Sequence, residues 1–389
     1  MLTFNEFSGI NNVQTQERLG EAALVRAENV DIGLSGEIAR RGGFIGLSEQ
    51  CHKNLHQARG FMLATVNGDL TAIHPSGARN IVAQSIGTDR VWYTDLPDGS
   101  TLFSNGLING STDGLAGHGW SIPAPHAYGA VSPISGRLHP GSYTYYVTHV
   151  RLSDGLEGPP TMAPPVQVDL GGVFLMGLPV LDGHKTNVYL SGHGGEGAYL
   201  AGSTATDALV FSGGNNTLTL PCRTMGLSAA PVGILGAFWR GRVLVAQGDT
   251  LWASTPHSHH IFDLRRDFKR FGASITMVQP VQDGIYVGTA QDLFFLGGQT
   301  FDQLTLGAKN HGPVVLGSGV RAPGNKVKLG DAAGSGEAML CIAGGAIVAG
   351  FNGGQTYAIT AGTYHTSAKE VSATFREVNG VPQYIAVPQ

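Results

Sequence analysis

The sequence predicts an all-β protein: a β-propeller of about five or six blades with an inserted small β-sandwich. Three observations lead there. Glycine is abundant, 58 of 389 residues, with no three-residue period, which excludes a collagen-like chain. Hydrophobic residues make up 42% and charged residues only 13%, so the composition is not that of a disordered chain. Many Val, Thr, Tyr and Phe beside so much Gly indicate short strands joined by tight turns. The third observation is a recurring unit of strand, tight turn and strand.

That unit is seen in FMLATVNGDLTAIH (61–74), RVWYTDLPDGSTLFS (90–104) and RVLVAQGDTLWAS (242–254). It returns in GIYVGTAQDLFFLGG (284–298), MLCIAGGAIVAGFNGGQTYAIT (339–360) and FREVNGVPQYIAV (375–387). Asn67-Gly68 and Asn379-Gly380 suit two-residue type I′ turns, whose central residues both need positive φ. In the first and third of these units, the first strand is apolar enough to be buried on both faces, and the second alternates. Starts spaced roughly 30 to 50 residues apart, one long interruption aside, suit radially repeated antiparallel sheets. Each sheet is too small to stand alone and needs neighbours on both faces. Five units are clear. A sixth forms if the C-terminal hairpin pairs with early strands, which would also remove open edges. A β-sandwich is the alternative.

The interruption spans 132–224, dividing the chain into 1–44, 45–131, 132–224 and 225–389. Pro123, Pro125 and Pro133 lie at its first border, Pro221 and Pro231 at its second, as at exposed connections between compact units. Inside it, Tyr143, Tyr145, Val147 and His149 alternate with Thr144, Tyr146, Thr148 and Val150, and short strands follow at 186–192, 198–204 and 208–213. The stretch GSYTYYVTHVRLSDGLEG resembles the strand and turn of fibronectin type III modules that carry adjacent tyrosines, and this likeness covers the insertion only.

Ahead of the first unit stands GINNVQTQERLGEAALVRAENVDIGLSGEIARRGGF, Gly9 to Phe44. Polar residues interrupt every apolar run, so it is not a secretory signal. It is expected to be an extended arm with one short helical turn around Leu19–Ala27 and strand-like pieces around Gly33 and Gly36.

The formal charge of −4 lacks the basic bias of a protein built to grip nucleic acid. No run of eighteen apolar residues is present to span a membrane. Cys51, Cys222 and Cys341 are scattered and odd in number, which points to small buried thiols in a reducing cytosol and not to a disulfide framework.

Candidate chemistry concentrates in TPHSHHIFDLRRDFKRF, Thr255–Phe271. His257, His259 and His260 with Asp263 are zinc-ligand types, yet neither an HxxxH spacing nor a second cluster with Cys accompanies them. Arg265, Arg266, Lys269 and Arg270 among Phe262, Phe268 and Phe271 have the composition of a docking surface; a solvated loop is the plainer reading. TDLPDGSTLF (94–103) resembles a single sialidase Asp box with Asp98 and Gly99 adjacent and no second copy. No GK[ST] follows a Gly-rich stretch, no GxSxG elbow occurs, and no carboxylate pair can be assigned. Asp89, Asp95, Asp98 and Asp113 lack the DxDxDG pattern of a calcium loop and are expected to stabilise turns. No cofactor and no enzymatic activity are expected.

Phe7, Gly9, Ile10, Asn11 and Asn12, then Glu17, Arg18 and Leu19, then Ala27, Asn29, Val30, Asp31 and Ile32, and finally Arg40, Arg41, Gly43 and Phe44 form a spaced pattern. It resembles the start of the β-propeller nozzle, or packaged-DNA stabilisation, proteins of bacteriophage tails. Arg242–Gly298, with a D-G-I-x-V-G-T strand, resembles blades of the same group; together the two stretches cover about a quarter of the chain. The resemblance implies a non-enzymatic structural subunit of a phage tail, made in the host cytoplasm and carried in the virion. Its partners would be further copies and neighbouring tail or connector proteins, with DNA passing unread. Six copies would total roughly −24, repelling phosphate along a shared axis. The arm would make intersubunit or ring-closing contacts, its strands around Asn29–Asp31 and Glu37–Arg40 completing the last blade. Arg18, Arg40, Arg41, His257, His259, His260, Arg265, Arg266, Lys269 and Arg270 are the expected partner contacts. The alternative is a tail-tip protein that binds a host receptor or glycan, with Trp92, Trp120, Tyr143 and Tyr145 able to stack on sugars.

Overall fold

In the computed structural model of the chain, residues 7–389 are described apart from 34, 44, 47, 193, 194, 196, 330, 331 and 379. Phe44 of the arm pattern and Asn379 of the second expected turn therefore lie outside the described residues. Among the described residues the regular elements are strands and four short 3-10 turns, so the protein is all-β. No helix is long and apolar enough to cross a membrane.

Local sequence explains the hairpins. Asn67 and Gly68, at φ 53° and 88°, join Met62–Val66 to Asp69–Ile73 as the Asn-Gly pair predicts. Two flanking strands extend this pair into a four-stranded antiparallel sheet, His52–Gln57, Met62–Val66, Asp69–Ile73 and Arg79–Ala83, in sequence order. The second sheet repeats the plan with Trp92–Asp95, Thr101–Ser104, Asn109–Thr112 and Gly117–His118. The third comprises Ile234–Trp239, Arg242–Gln247, Thr250–Thr255 and Ser258–Phe262, with Ser228–Ala229 and Phe268–Arg270 added at its outer side. The fourth runs Ile275–Val281, Gly284–Thr289, Leu293–Gly297 and Thr305–Ala308. The fifth runs Val320–Pro323, Glu337–Ala343, Ala346–Gly350 and Thr356–Ala358.

Second strands are buried on both faces: every residue of Gly284–Thr289 is buried, as is all of Glu337–Ala343 after its first residue. Such continuous burial requires a neighbour on each side of the sheet, and the apolar clusters supply it. Leu63, Leu70 and Ala72 of the first sheet pack with Phe103 of the second. Leu102 of the second meets Val243, Val245 and Phe262 of the third. Leu244 and Leu251 of the third meet Ile285 and Leu296 of the fourth, and Met277 and Tyr286 of the fourth meet Met339 and Cys341 of the fifth. The fifth then receives Phe375 and Tyr384 of the hairpin Val371–Val378 and Val381–Pro388. Each sheet thus lies against the next in chain order. Fully buried leucines such as Leu244, Leu251 and Leu296 each contribute about 2–3 kcal/mol of hydrophobic transfer energy.

Between the second and third sheets, the strands from Ala130 to Phe211 build a separate body. Ala130–Ser135, Gly171–Met176 and Ala208–Phe211 form one sheet; Thr161–Met162, Tyr145–Arg151, His184–Ser191 and Ala198–Thr204 form another. A core of its own lies between them, with Tyr143, Tyr145, Val147, Val173, Leu175, Val188 and Leu190. The tyrosine alternation explains the start of this packing, with Tyr143, Tyr145 and Val147 turned into the core; from Val147 to Val150 both faces are buried, Thr148 and Val150 as well as His149.

The arm differs from expectation in detail. Its turn is a 3-10 turn at Gln16–Arg18, while Ala23–Leu24 is extended and pairs in parallel with Gly9–Ile10. Within Leu19–Ala27 one hydrogen-bonded turn is present, Ala23 N donating to the Gly20 carbonyl at 3.0 Å, and it leads into the strand Ala23–Leu24 and not into a helical turn. Val30–Ile32 and Ile38–Arg40 pair with each other, and the C-terminal hairpin likewise forms a sheet of two strands. The expected pairing of hairpin with early strands is thus absent within the described residues of one chain. Both arm strands are only three residues long and satisfy one another.

Candidate functional site

Successive stacking brings six elements to one cavity of about 780 Å³. The first strands of the first four sheets line it through His52–His56, Trp92–Tyr93, Leu235–Gly236 and Thr276–Gln279. Gly317 and Gly319, just before the fifth sheet, and Glu370, Ser372 and Ala373 at the hairpin complete the wall. In the first four sheets the strand nearest this cavity is therefore the first.

Polar groups on the wall are held by the chain itself. The Arg90 guanidinium donates to Glu370 Oε1 (2.9 Å) and to the Val371 carbonyl (2.8 Å), and lies 4.2 Å from the Trp92 ring centroid. This one side chain joins the loop before the second sheet to the root of the last hairpin. The His56 ring stacks on Tyr93 at 4.7 Å, and its Nε2 lies 3.0 Å from Asp95 Oδ1. Burial pushes the Asp95 carboxyl up, but hydrogen bonds from His56 and Thr101 outweigh it and leave the carboxyl below its ordinary value. Burial raises the Tyr93 hydroxyl, which donates to the Asn54 carbonyl at 2.8 Å. Glu370 and Asp95 therefore answer basic groups of the same chain.

The histidine cluster serves an internal joint. His260 is 7% exposed, and its Nε2 lies 3.2 Å from the Glu157 carbonyl oxygen in the insertion. The His259 and His260 carbonyls accept from Trp120 Nε1 (2.9 Å) and Ser121 Oγ (2.7 Å) of the segment leading to the insertion. The His259 ring meets Phe238 edge-on, and His257 sits over Gly241 at φ 57°. Three imidazoles pointing to three neighbours do not converge as metal ligands, and no metal-holding group occurs among the described residues.

The basic stretch is also largely answered within the chain. Arg265 pairs with Asp263 at 3.1 Å and Arg270 with Asp249 at 2.7 Å, both arginines exposed. Lys269 Nζ donates to the Asp302 and Leu304 carbonyls and lies over Phe301. Arg266 is exposed and adds to the field that lowers Asp263. In the arm, Arg18 and Arg40 are exposed, and Arg41 Nε lies 3.4 Å from Asp31.

Other expected groups have plain roles. Asp98 accepts from Ser100 N and Oγ, and Asp113 from Leu115 N and Ala116 N, closing turns as predicted. Trp120, Tyr143 and Tyr145 are no more than 5% exposed, so they cannot stack on an external sugar; they are core and joint residues. Trp92 remains half-buried beneath Arg90. Cys222 and Cys341 are buried as expected, but Cys51, just ahead of the first sheet, is exposed. Sequence reasoning missed His52, His56, Arg90 and Glu370; the alternation HKNLHQ ahead of the first apolar strand was the available signal for the cavity wall.

No protein-family model and no curated protein matches the chain. Solved structures similar to it include the Dos1 propeller, at 8% identity and TM-score 0.33, covering 92% of this chain and 78% of that one. The extracellular domain of the putative one-component system BT4673 from B. thetaiotaomicron gives 8% identity and TM-score 0.31, over 89% of this chain and 38% of that one. PorZ, a surface component of the type-IX secretion system of Porphyromonas gingivalis, gives 11% and 0.22, over 90% and 52%. Likeness this slight carries no argument, and the reading of the chain rests on its own sheets and contacts.

Proposed function

We propose that the chain is a β-propeller with an inserted fibronectin type III-like sandwich, and that it serves as a non-enzymatic structural subunit of a bacteriophage tail. The observation that carries the scaffold reading is the cavity wall, where the first strands of four sheets, the segment before the fifth and the last hairpin surround one space. Radial packing of small antiparallel sheets produces such a wall. Its ionic groups tie elements together: Arg90 ties the last hairpin to the loop before the second sheet, and His56 joins the first sheet to the second. That use suits a body kept rigid for assembly. The tail assignment rests on the arm pattern from Phe7 to Gly43 and on Arg242–Gly298, and places the chain beside other copies and neighbouring tail proteins, DNA passing without sequence-specific contact.

The test is to image purified chain mixed with tail components, and virions carrying a tagged chain. Copies arranged around the tail axis support the reading; a chain missing from virions overturns it. A monomer confined to the outer tip would turn the assignment to receptor binding. Normal virion yield after joint Arg265→Glu and Arg266→Glu substitution would remove that stretch from the contact surface.

A further inference from the structure

We propose that the C-terminal hairpin is half of a sheet, completed in the assembly by the arm hairpin Val30–Arg40 of a second copy adding to the edge of Val381–Pro388. The partner's identity rests on the multi-copy reading above. Strand number is the first ground. Five sheets around the cavity have at least four strands, while the element in the sixth position has two. The arm supplies two antiparallel strands of its own, Val30–Ile32 and Ile38–Arg40.

Edge chemistry is the second ground. Glu370, Ser372 and Ala373 line the cavity beside Gln389 at the very end of the chain, while no residue of Val381–Pro388 does, so that strand lies outward of its partner. Its outer edge has no ladder partner among the described residues. An eight-residue open edge is a pairing template unless it is blocked or covered, and the hairpin's face away from the fifth sheet leaves Val378 39% and Val387 54% exposed. The arm offers Ile38, also 39% exposed, to cover them.

The third ground is the tether. Asn12 N donates to the Thr363 carbonyl, and the Asn12 side chain exchanges two 2.8 Å hydrogen bonds with the His365 backbone. The arm is therefore fixed next to the entry of its own hairpin, yet its strands do not join that hairpin. With Ala23–Leu24 paired to Gly9–Ile10, the six residues from Leu24 to Val30 form the tether, a reach of about 20 Å toward an adjoining copy.

The test uses the full chain with Cys51→Ser, in two differently tagged forms, one with Ala39→Cys and the other with Gln383→Cys. Both positions lie outside the apolar clusters. A short bis-maleimide is added to the mixture, and each form alone is the control. A mixed-tag dimer band, kept when residues 1–42 are deleted from the Gln383→Cys form and lost when Ile38→Pro is added to the Ala39→Cys form, is the expected result. Absence of that band, or a band unchanged by Ile38→Pro, overturns the proposal. So does a chain carrying both cysteines that links only to itself. Virion imaging separates the two readings: a tail-borne chain without the mixed band removes the pairing alone, whereas the band in a chain missing from virions removes the tail role alone.

Discussion

His260 Nε2 reaches 3.2 Å to the backbone carbonyl of Glu157, joining the third sheet to the insertion. One residue further on, Gly158 N donates to the carbonyl of His149, itself 3% exposed. Two buried imidazoles thus flank one short segment. Burial lowers His260 and outweighs the Glu157 carbonyl, whose hydrogen bond raises it; Arg151 and His259 lower it further against Asp154. Burial lowers His149, and His184 and His126 reinforce the effect.

The sign follows from linkage. Both groups are neutral in the folded protein near pH 7, and the unfolded chain takes up protons first as the pH falls below about 6.5. Their contribution is complete above that pH and is lost as the pH falls through the folded values. His259 and His311, also lowered by burial, act in the same direction. Thermal melts from pH 8 to pH 5 are expected to show a falling Tm, and joint His149→Gln and His260→Gln substitution should flatten the fall. A Tm constant across that range in the unaltered chain would rule this out.

Much of this architecture is legible in sequence because its determinants are local. Asn67-Gly68 specifies its turn, and the alternation from Tyr143 to Val147 specifies which face meets the insertion's core. Joints between distant segments are not legible: nothing near His260 announces Glu157, 103 positions away, and nothing near Arg90 announces Glu370, 280 positions away. The histidines and arginines of Thr255–Phe271 drew notice for their composition, yet polar residues that satisfy internal carbonyls and carboxylates have the same composition as a docking loop. The cavity wall was hidden for a related reason, since its members come one or two at a time from six elements.

The insertion's core can be weakened by itself. Leu190 is fully buried among Tyr145, Val147 and Val188, and Leu190→Ala is expected to cost about 3 kcal/mol through lost transfer energy and the cavity left behind. Tyr143→Phe should cost about 1 kcal/mol, because the Tyr143 hydroxyl donates to the His139 carbonyl at 3.0 Å and accepts from Asn215 at 2.9 Å. Urea unfolding followed by hydrogen exchange is the measurement. Lost protection should concentrate between residues 130 and 218, and uniform loss over the five stacked sheets would contradict a separate core.

Thiol accessibility offers a simple check on packing. Cys341 is fully buried in the fourth and fifth sheets' shared cluster, and burial raises its thiol well above the ordinary value. Burial also raises Cys222, while Cys51 is exposed. Thiolate is the reactive form, so native protein should label at Cys51 alone and unfolded protein at all three. Rapid native labelling of Cys341 would mean that the fourth and fifth sheets are not packed together as described.

Closure at the last hairpin depends on Arg90 and on the backbone it meets. Arg90 is 24% exposed and Glu370 40%, so solvent screens the pair; the bond to the Val371 carbonyl and the Trp92 stack add to it. Arg90→Met is expected to cost about 1–2 kcal/mol. Arg90→Lys should recover little, since a lysine amine cannot hold both oxygens in the plane that stacks on Trp92. Gly317 occupies φ +77°, and a Cβ there would run into the Val371 carbonyl and the Arg90 guanidinium. Gly317→Ala should therefore cost about 2–4 kcal/mol and expose the hairpin amides of Val371–Val378 first. Hydrogen exchange on both variants tests the point: faster exchange confined to the hairpin and the loop before the second sheet is the expected outcome. Unchanged hairpin protection in Gly317→Ala would show that this contact does not hold the last element in place.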